Sequence, residues 1–155
     1  MVAELNFDNP TVVSLVTYGA VLVGKMLFLL LLTSIVRIMR KNWANPEDAK
    51  AFSNARSNEE AKRMTVRDEA VERVRRCVLN DMENIIPFLL LAPMYVLTGP
   101  AHDTAVLFFR IFVVSRFVHT ITYLFGLQPF RGFAYGAGLF VNSVFVYQII
   151  KNGKF

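Results

Sequence analysis

Four polar side chains, Arg73, Arg76, Asn80 and Glu83, recur at spacings of three, four and three within the stretch RVRRCVLNDMENIIPF (73–88). On a helix that spacing lines them along one face. Residues 85–97 then form a hydrophobic run. Arg116, His119 and Tyr123 repeat the three-then-four step, and Arg37 and Arg131 flank further apolar stretches. Arginine forks suit carboxylates, and a glutamate can hold an ammonium group. The ligand implied is small, mostly anionic and partly zwitterionic. Charges inside apolar segments are costly, and they ordinarily face a bundle interior and mark a site. Any one arginine at a membrane interface is explained by snorkelling, and a few by ion pairs between helices. The whole set, at one depth on converging faces, points to binding.

The elements that must hold these side chains are apolar ones. The 155 residues are 54% hydrophobic, include 14 Phe and have a mean hydropathy of +0.41. A small core cannot hide that much apolar surface, so lipid is the simplest solvent for it. The net charge is +5, and 11 of the 17 Lys and Arg fall between Arg37 and Arg76, beside seven acids. This basic stretch lies between two hydrophobic helices. It therefore reads as a cytosolic loop under the positive-inside rule, not as a nucleic-acid surface, and no nucleic-acid partner is expected.

The pattern predicts an all-α membrane protein, a four-transmembrane-helix bundle forming a single domain over residues 1–155. The spans fall at about 11–36, 74–97, 104–125 and 131–150, with the cytosolic loop at 41–67. Both chain ends then lie on the lumenal side. The start carries Glu4 and Asp8 and no basic residue, unlike a cleavable signal peptide. Lys151 and Lys154, at the lumenal end, mildly breach the charge rule. Within the loop, Asn45-Pro46 marks a helix start, with a short helix over 46–52. Residues 53–67 read as polar loop, with 59–63 compatible with helix. The second long helix starts near 67–69, and Pro87 and Pro93 would kink it unless neighbouring groups take the freed carbonyls. Gly132 and Gly136 give the last span a face for close helix approach.

Several residues read as structural. Lys25 and Arg110 lie off the converging faces and are expected to partner Asp81 or another buried acid. Cys77 reads as an inert small apolar residue. No Gly-x-Ser-x-Gly elbow is present. No metal is expected, since His102 and His119 fall at opposite membrane faces and Cys77 stands alone.

The chain resembles the membrane-associated eicosanoid and glutathione metabolism proteins (MAPEG). The resemblance rests on Ala44-Asn45-Pro46-Glu47-Asp48, Val71-Glu72-Arg73-x-x-Arg76 running into Asn80-Asp81-Met82-Glu83, Pro87-Phe88, Gly99-Pro100 and Arg116-x-x-His119-Thr120-x-x-Tyr123. Asn84-Ile85-Ile86-Pro87-Phe88 and Glu60-Ala61-Lys62 look more like the microsomal glutathione transferase branch than the prostaglandin E synthase branch. What this implies is a homotrimer in the endoplasmic reticulum membrane, with the mitochondrial outer membrane as a further location. The active site would face the cytosol and bind glutathione between subunits. By position, Arg37, Arg76, Asn80, Glu83, His119, Tyr123, Arg131 and Tyr135 would contact glutathione. Arg131 would be the catalytic residue, stabilising the thiolate. The implied activity is detoxifying conjugation of glutathione to lipophilic electrophiles, with glutathione-dependent peroxidase activity towards lipid hydroperoxides. The alternatives are a prostaglandin E synthase-type isomerase and a non-catalytic lipid-binding scaffold. Gly132 and Leu79 stand where the isomerase branch carries a serine and an arginine, which weakens the isomerase reading. Ala49 stands where the mammalian transferase has its alkylation-responsive cysteine.

Overall fold

The structure is a computed structural model that describes residues 5–53 and 55–152; Glu4 and Lys154 lie outside the described residues. It is all-helical among those residues. The order is α1 (Pro10–Arg40), α2 (Pro46–Ser53), α3 (Asn58–Arg63), α4 (Glu69–Leu97), α5 (His102–Leu124) and α6 (Phe130–Asn152). Four of these, α1, α4, α5 and α6, are long and apolar enough to cross a bilayer. In the single chain all four expose large apolar side chains, among them Phe28, Leu90, Leu107 and Phe140. That is the surface of a four-helix membrane bundle, not of a protein in water.

The helix ends follow local chemistry. α1 runs to Arg40, past the predicted end, because Arg37 and Arg40 suit the negative end of the helix dipole. It closes with the Asn42 N–H donating to the Arg37 carbonyl (3.0 Å) while Lys41 sits at φ 50. That is a Schellman ending with lysine at the position glycine usually takes. α5 ends the same way, the Leu127 N–H reaching the Thr122 carbonyl at 2.8 Å, and there Gly126 supplies the positive φ of 70.

The chain forms two compact parts. The first holds α1 up to Met26 and everything from Asn80 onward. Its core is aromatic. Phe88 of α4 stacks on Phe112 of α5 (centroids 4.1 Å apart, planes 11° apart) and meets Phe109 edge-on at 6.0 Å. Phe145 of α6 lies 5.8 Å from Phe88 and stacks on Tyr95 at 4.4 Å. Val12, Leu15 and Leu22 of α1 complete the cluster. Pro87 lies inside α4, which stays one helix through it. In the same turn, the Asn142 side chain donates to the Asn84 carbonyl (3.2 Å), a polar bond that lipid cannot replace. The expected close approach at Gly132 and Gly136 is not seen within the chain, since a methyl group at either would meet open space. The tight glycine on α6 is Gly138, described below.

The second part covers Leu27–Leu79. Its connector is more ordered than the loop read from the sequence. α3 appears at Asn58–Arg63 because Ser57 and Glu60 act as reciprocal caps. Ser57 accepts from the Glu60 N–H at 3.1 Å, and the Glu60 carboxylate accepts from the Arg56 N–H at 2.8 Å. Trp43 stacks on Phe52 at 5.4 Å and donates its indole N–H to Ser53. α4 starts where expected because Asp68 caps it. Its Oδ1 accepts from the Ala70 and Val71 N–H groups at 2.9 and 3.2 Å, and its Oδ2 accepts from Arg40 at 3.1 Å. The Val71 N–H, helped by the Arg40 guanidinium, holds the Asp68 carboxyl below the usual carboxylate range. The capping contribution is therefore complete above the ordinary Asp pKa and is lost as pH falls through the lowered one.

In lipid the aromatic core is held by packing more than by exclusion from water. Aromatic pairs contribute about 0.5–1.5 kcal/mol each. Phe88 makes three such pairs, so Phe88→Ala is expected to destabilise the fold by about 2–4 kcal/mol. Thermal unfolding in detergent checks this, and an unchanged midpoint would remove Phe88 from its central role.

Candidate functional site

Arg131 opens α6 and is half-buried. Its guanidinium carbon lies 4.8 Å from the centre of the Tyr123 ring, a cation–π arrangement. With the Gln128 amide oxygen turned toward it, Arg131 Nε donates to that oxygen at 3.1 Å. A ring face and a neutral amide fix the guanidinium without cancelling its charge. No carboxylate among the described residues pairs with it. One turn below Tyr123 on α5, His119 is buried, its ring 5.6 Å from the Tyr123 ring. The His119 Nδ1 has no hydrogen-bond partner among the described residues. Tyr135 is 41% exposed and Glu83 is exposed, with no ion pair among the described residues.

Asn80 is positioned by a residue outside the expected contact set. Arg116 is fully buried, and its Nη1 donates to Asn80 Oδ1 at 3.3 Å while its Nη2 donates to the Ala134 carbonyl at 3.1 Å. The Asn80 amide is thereby oriented, with its oxygen engaged by the guanidinium. The guanidinium fits because residue 138 is glycine: a Cβ there would stand 2.9 Å from Arg116 Nη2. The Arg116-to-Asn80 link joins α5 to α4, and the Ala134 carbonyl ties both to α6. The sequence signal that could have found this seat is the small pair Ala134 and Gly138, four residues apart on one face.

Arg37 and Arg76 belong to the second part. Arg37 is half-buried and lines a recess of about 180 Å³ with Trp43, Asp48 and Phe52. Arg76 bonds the Glu69 carboxylate two helical turns earlier on α4. On α4 itself, Arg73, Arg76, Asn80 and Glu83 keep the spacing of a single stripe.

The structural charges divide. Lys25 and Asp81 are both buried and form an ion pair. Arg110 departs from expectation, for no acid among the described residues meets it. It is exposed, and its Nε donates to the Tyr18 phenol at 2.8 Å, because Tyr18 of α1 is the polar group facing that turn of α5. Cys77 is fully buried and not disulfide-bonded. Among the described residues no cluster of three His, Cys, Asp or Glu could hold a metal ion.

An apolar four-helix chain with a fully buried arginine on α5 and half-buried arginines on α1, α4 and α6 defines a class of integral membrane proteins. The chain belongs to the MAPEG family, whose pattern it matches over residues 15–151. It is 42% identical to microsomal glutathione S-transferase 1 of Rattus norvegicus over 146 residues, 94% of this chain and 92% of that protein. The protein of the same name from Sus scrofa is 43% identical over 145 residues, 93% of this chain and 92% of its own length. Prostaglandin E synthase of Equus caballus is 36% identical over 133 residues, 85% of this chain and 82% of that protein.

Removing one member of a buried ion pair costs about 3–5 kcal/mol, because the other charge is left alone in a low dielectric. Lys25→Met is expected to lose that much, and Lys25→Met with Asp81→Leu is expected to recover most of it. Urea or thermal unfolding in detergent reads the difference, and equal losses in single and double variants would mean the pair is not coupled. Gly138→Ala should lower the unfolding midpoint by crowding Arg116, while Gly136→Ala, whose methyl enters open space, should leave it unchanged or raise it. Matching effects at both positions would contradict the glycine seat.

Proposed function

We propose that this protein is a membrane-bound glutathione transferase. It would join the glutathione sulfur to lipophilic electrophiles that arrive through the bilayer. The observation that carries the reading is the Arg131 guanidinium, fixed by Tyr123 and Gln128 and unpaired with any carboxylate among the described residues. Two of the relatives, named as glutathione transferases, match nearly the whole chain. A preoriented cation beside a thiol favours the ionised sulfur, raising the population of the nucleophile at neutral pH.

In this reading glutathione is the co-substrate. Arg37, Arg76, Asn80, Glu83, His119, Tyr123, Arg131 and Tyr135 contact it, the arginines taking its carboxylates and Glu83 its ammonium group. Arg116 acts through Asn80 as a positioning residue. The thiol proton leaves to solvent. The sulfur lone pair then forms the carbon–sulfur bond as the leaving group departs with its electron pair. With a lipid hydroperoxide, a first thiolate attacks the distal oxygen and releases the alcohol. A second glutathione attacks the resulting sulfenic sulfur, giving glutathione disulfide and water. The working form is a homotrimer in the endoplasmic reticulum membrane, a multi-pass assembly with the site facing the cytosol. An isomerase of the prostaglandin E synthase kind is less well supported, because Gly132 and Leu79 offer neither hydroxyl nor guanidinium.

Adding glutathione to the purified protein in detergent at neutral pH is expected to produce the ultraviolet absorbance of a thiolate. Conjugation of 1-chloro-2,4-dinitrobenzene should follow, with release of chloride. Arg131→Ala is expected to lower kcat by about a hundredfold with little change in KM for glutathione, the scale of losing one preorganised charge donor. Absence of both thiolate signal and turnover in the intact protein would overturn the proposal. A thiolate signal that survives in Arg131→Ala would move the role to another residue.

A further inference from the structure

Between α5 and α6 runs a cleft of about 450 Å³ with almost wholly apolar walls. Val114 and Val118 form one side, Phe133 and Ala137 the other. The Ser115 hydroxyl lining it already donates to the Phe112 carbonyl at 2.7 Å. One charged side chain lines the cleft, Arg110. It lies three residues from Val113, the middle of the 23-residue α5, or about 5 Å along the axis. The hydrocarbon layer is about 30 Å thick, so a helix crossing it symmetrically leaves this arginine about 10 Å from the nearer interface and about 20 Å from the other. A cation at that depth requires a partner. The structure gives it only a neutral one, the Tyr18 phenol, and no carboxylate among the described residues pairs with it.

We propose that this cleft binds a single-chain lipid carboxylate, with Arg110 as its anchor. Tyr18 takes Nε, which leaves the paired Nη groups at the tip of the fork, the edge that receives a carboxylate in two parallel bonds. The volume accommodates one acyl chain and not the two of a phospholipid. Val114 is 60% exposed and Phe133 71% exposed at the mouth, so the chain enters sideways from the bilayer. Apolar walls hold the chain, and the one cation selects the charged head over a neutral ester or alcohol. The far end of the cleft lies at Val118 and Phe130, the residues beside His119 and Arg131. A bound acyl chain therefore extends from Arg110 toward that end of the helices. The site does not depend on the thiol chemistry proposed above.

The test is binding by the full chain in nonionic detergent, read as displacement of the fluorescent fatty acid cis-parinaric acid by oleate or by methyl oleate. Oleate is expected to displace it at about tenfold lower concentration than the ester, the scale of one charge-assisted contact. Arg110→Gln should erase that preference, Arg110→Lys should restore part of it, and Val114→Trp should block the mouth and weaken both ligands. The glutathione thiolate absorbance is recorded on the same samples and is expected to persist in all of them. Its absence throughout would count against the transferase reading alone. Equal affinity for oleate and ester in the unaltered protein, or full oleate preference in Arg110→Gln or Val114→Trp, would overturn the proposal. So would a loss of assembly mass in Arg110→Gln, which would assign the arginine to a contact with a second copy.

Discussion

A guanidinium that cannot reach water must be answered inside the protein, and Arg116 is that case. Fully buried on α5, it engages an asparagine side chain of α4 and a backbone carbonyl of α6, and it occupies the volume a side chain at residue 138 would fill. Three helices are thereby referenced to one another by directional bonds, where lipid supplies no force to press them together. Aromatic stacking around Phe88 then fills the space farther along the same helices. The second buried cation, Lys25, is handled differently, by a full opposite charge on Asp81. The two solutions have different consequences. The carboxylate supplies an opposite charge, whereas the amide oxygen and the carbonyl supply directional bonds to two further helices.

The same distinction separates Arg131 from two arginines of the second part. Arg40 and Arg75 each meet a carboxylate, and their charge is largely spent at the surface. Arg131 meets a ring face and an amide. Positive charge is kept available where α5 ends and α6 begins, and is compensated at the end of α1 and the start of α4.

How much of this could be read from the residues depends on the kind of partner involved. The four long helices are legible because their apolar runs exceed what any small core can absorb, and the structure adds Asp68 as the cap that fixes the start of α4. The Lys25-to-Asp81 partnership could be guessed, since two opposite charges in apolar surroundings have few other choices. The same reasoning assigns Arg110 an acid, and it instead meets the phenol of Tyr18. Matching charges in a sequence finds carboxylates and overlooks neutral acceptors. Gln128 beside Arg131 and the Ala134 carbonyl beside Arg116 escaped for the same reason. Gly132 and Gly136 were picked by spacing, but the glycine that matters is Gly138, whose role depends on a side chain 22 positions away. The second short connector helix was half visible, its Ser57 and Glu60 being a cap pair easily passed over in a polar stretch.

The stacked Trp43 and Phe52 pair carries one more consequence. Trp43 is the only tryptophan in the chain, and it sits in the connector with its indole bonded to Ser53. Tryptophan emission, excited where tyrosine barely absorbs, is therefore a local optical probe of the segment between α1 and α4, separate from the aromatic cluster around Phe88. Followed by emission and by circular dichroism, denaturation would report on separate regions. Two midpoints that disagree would measure how loosely the connector's order is tied to that of the long helices.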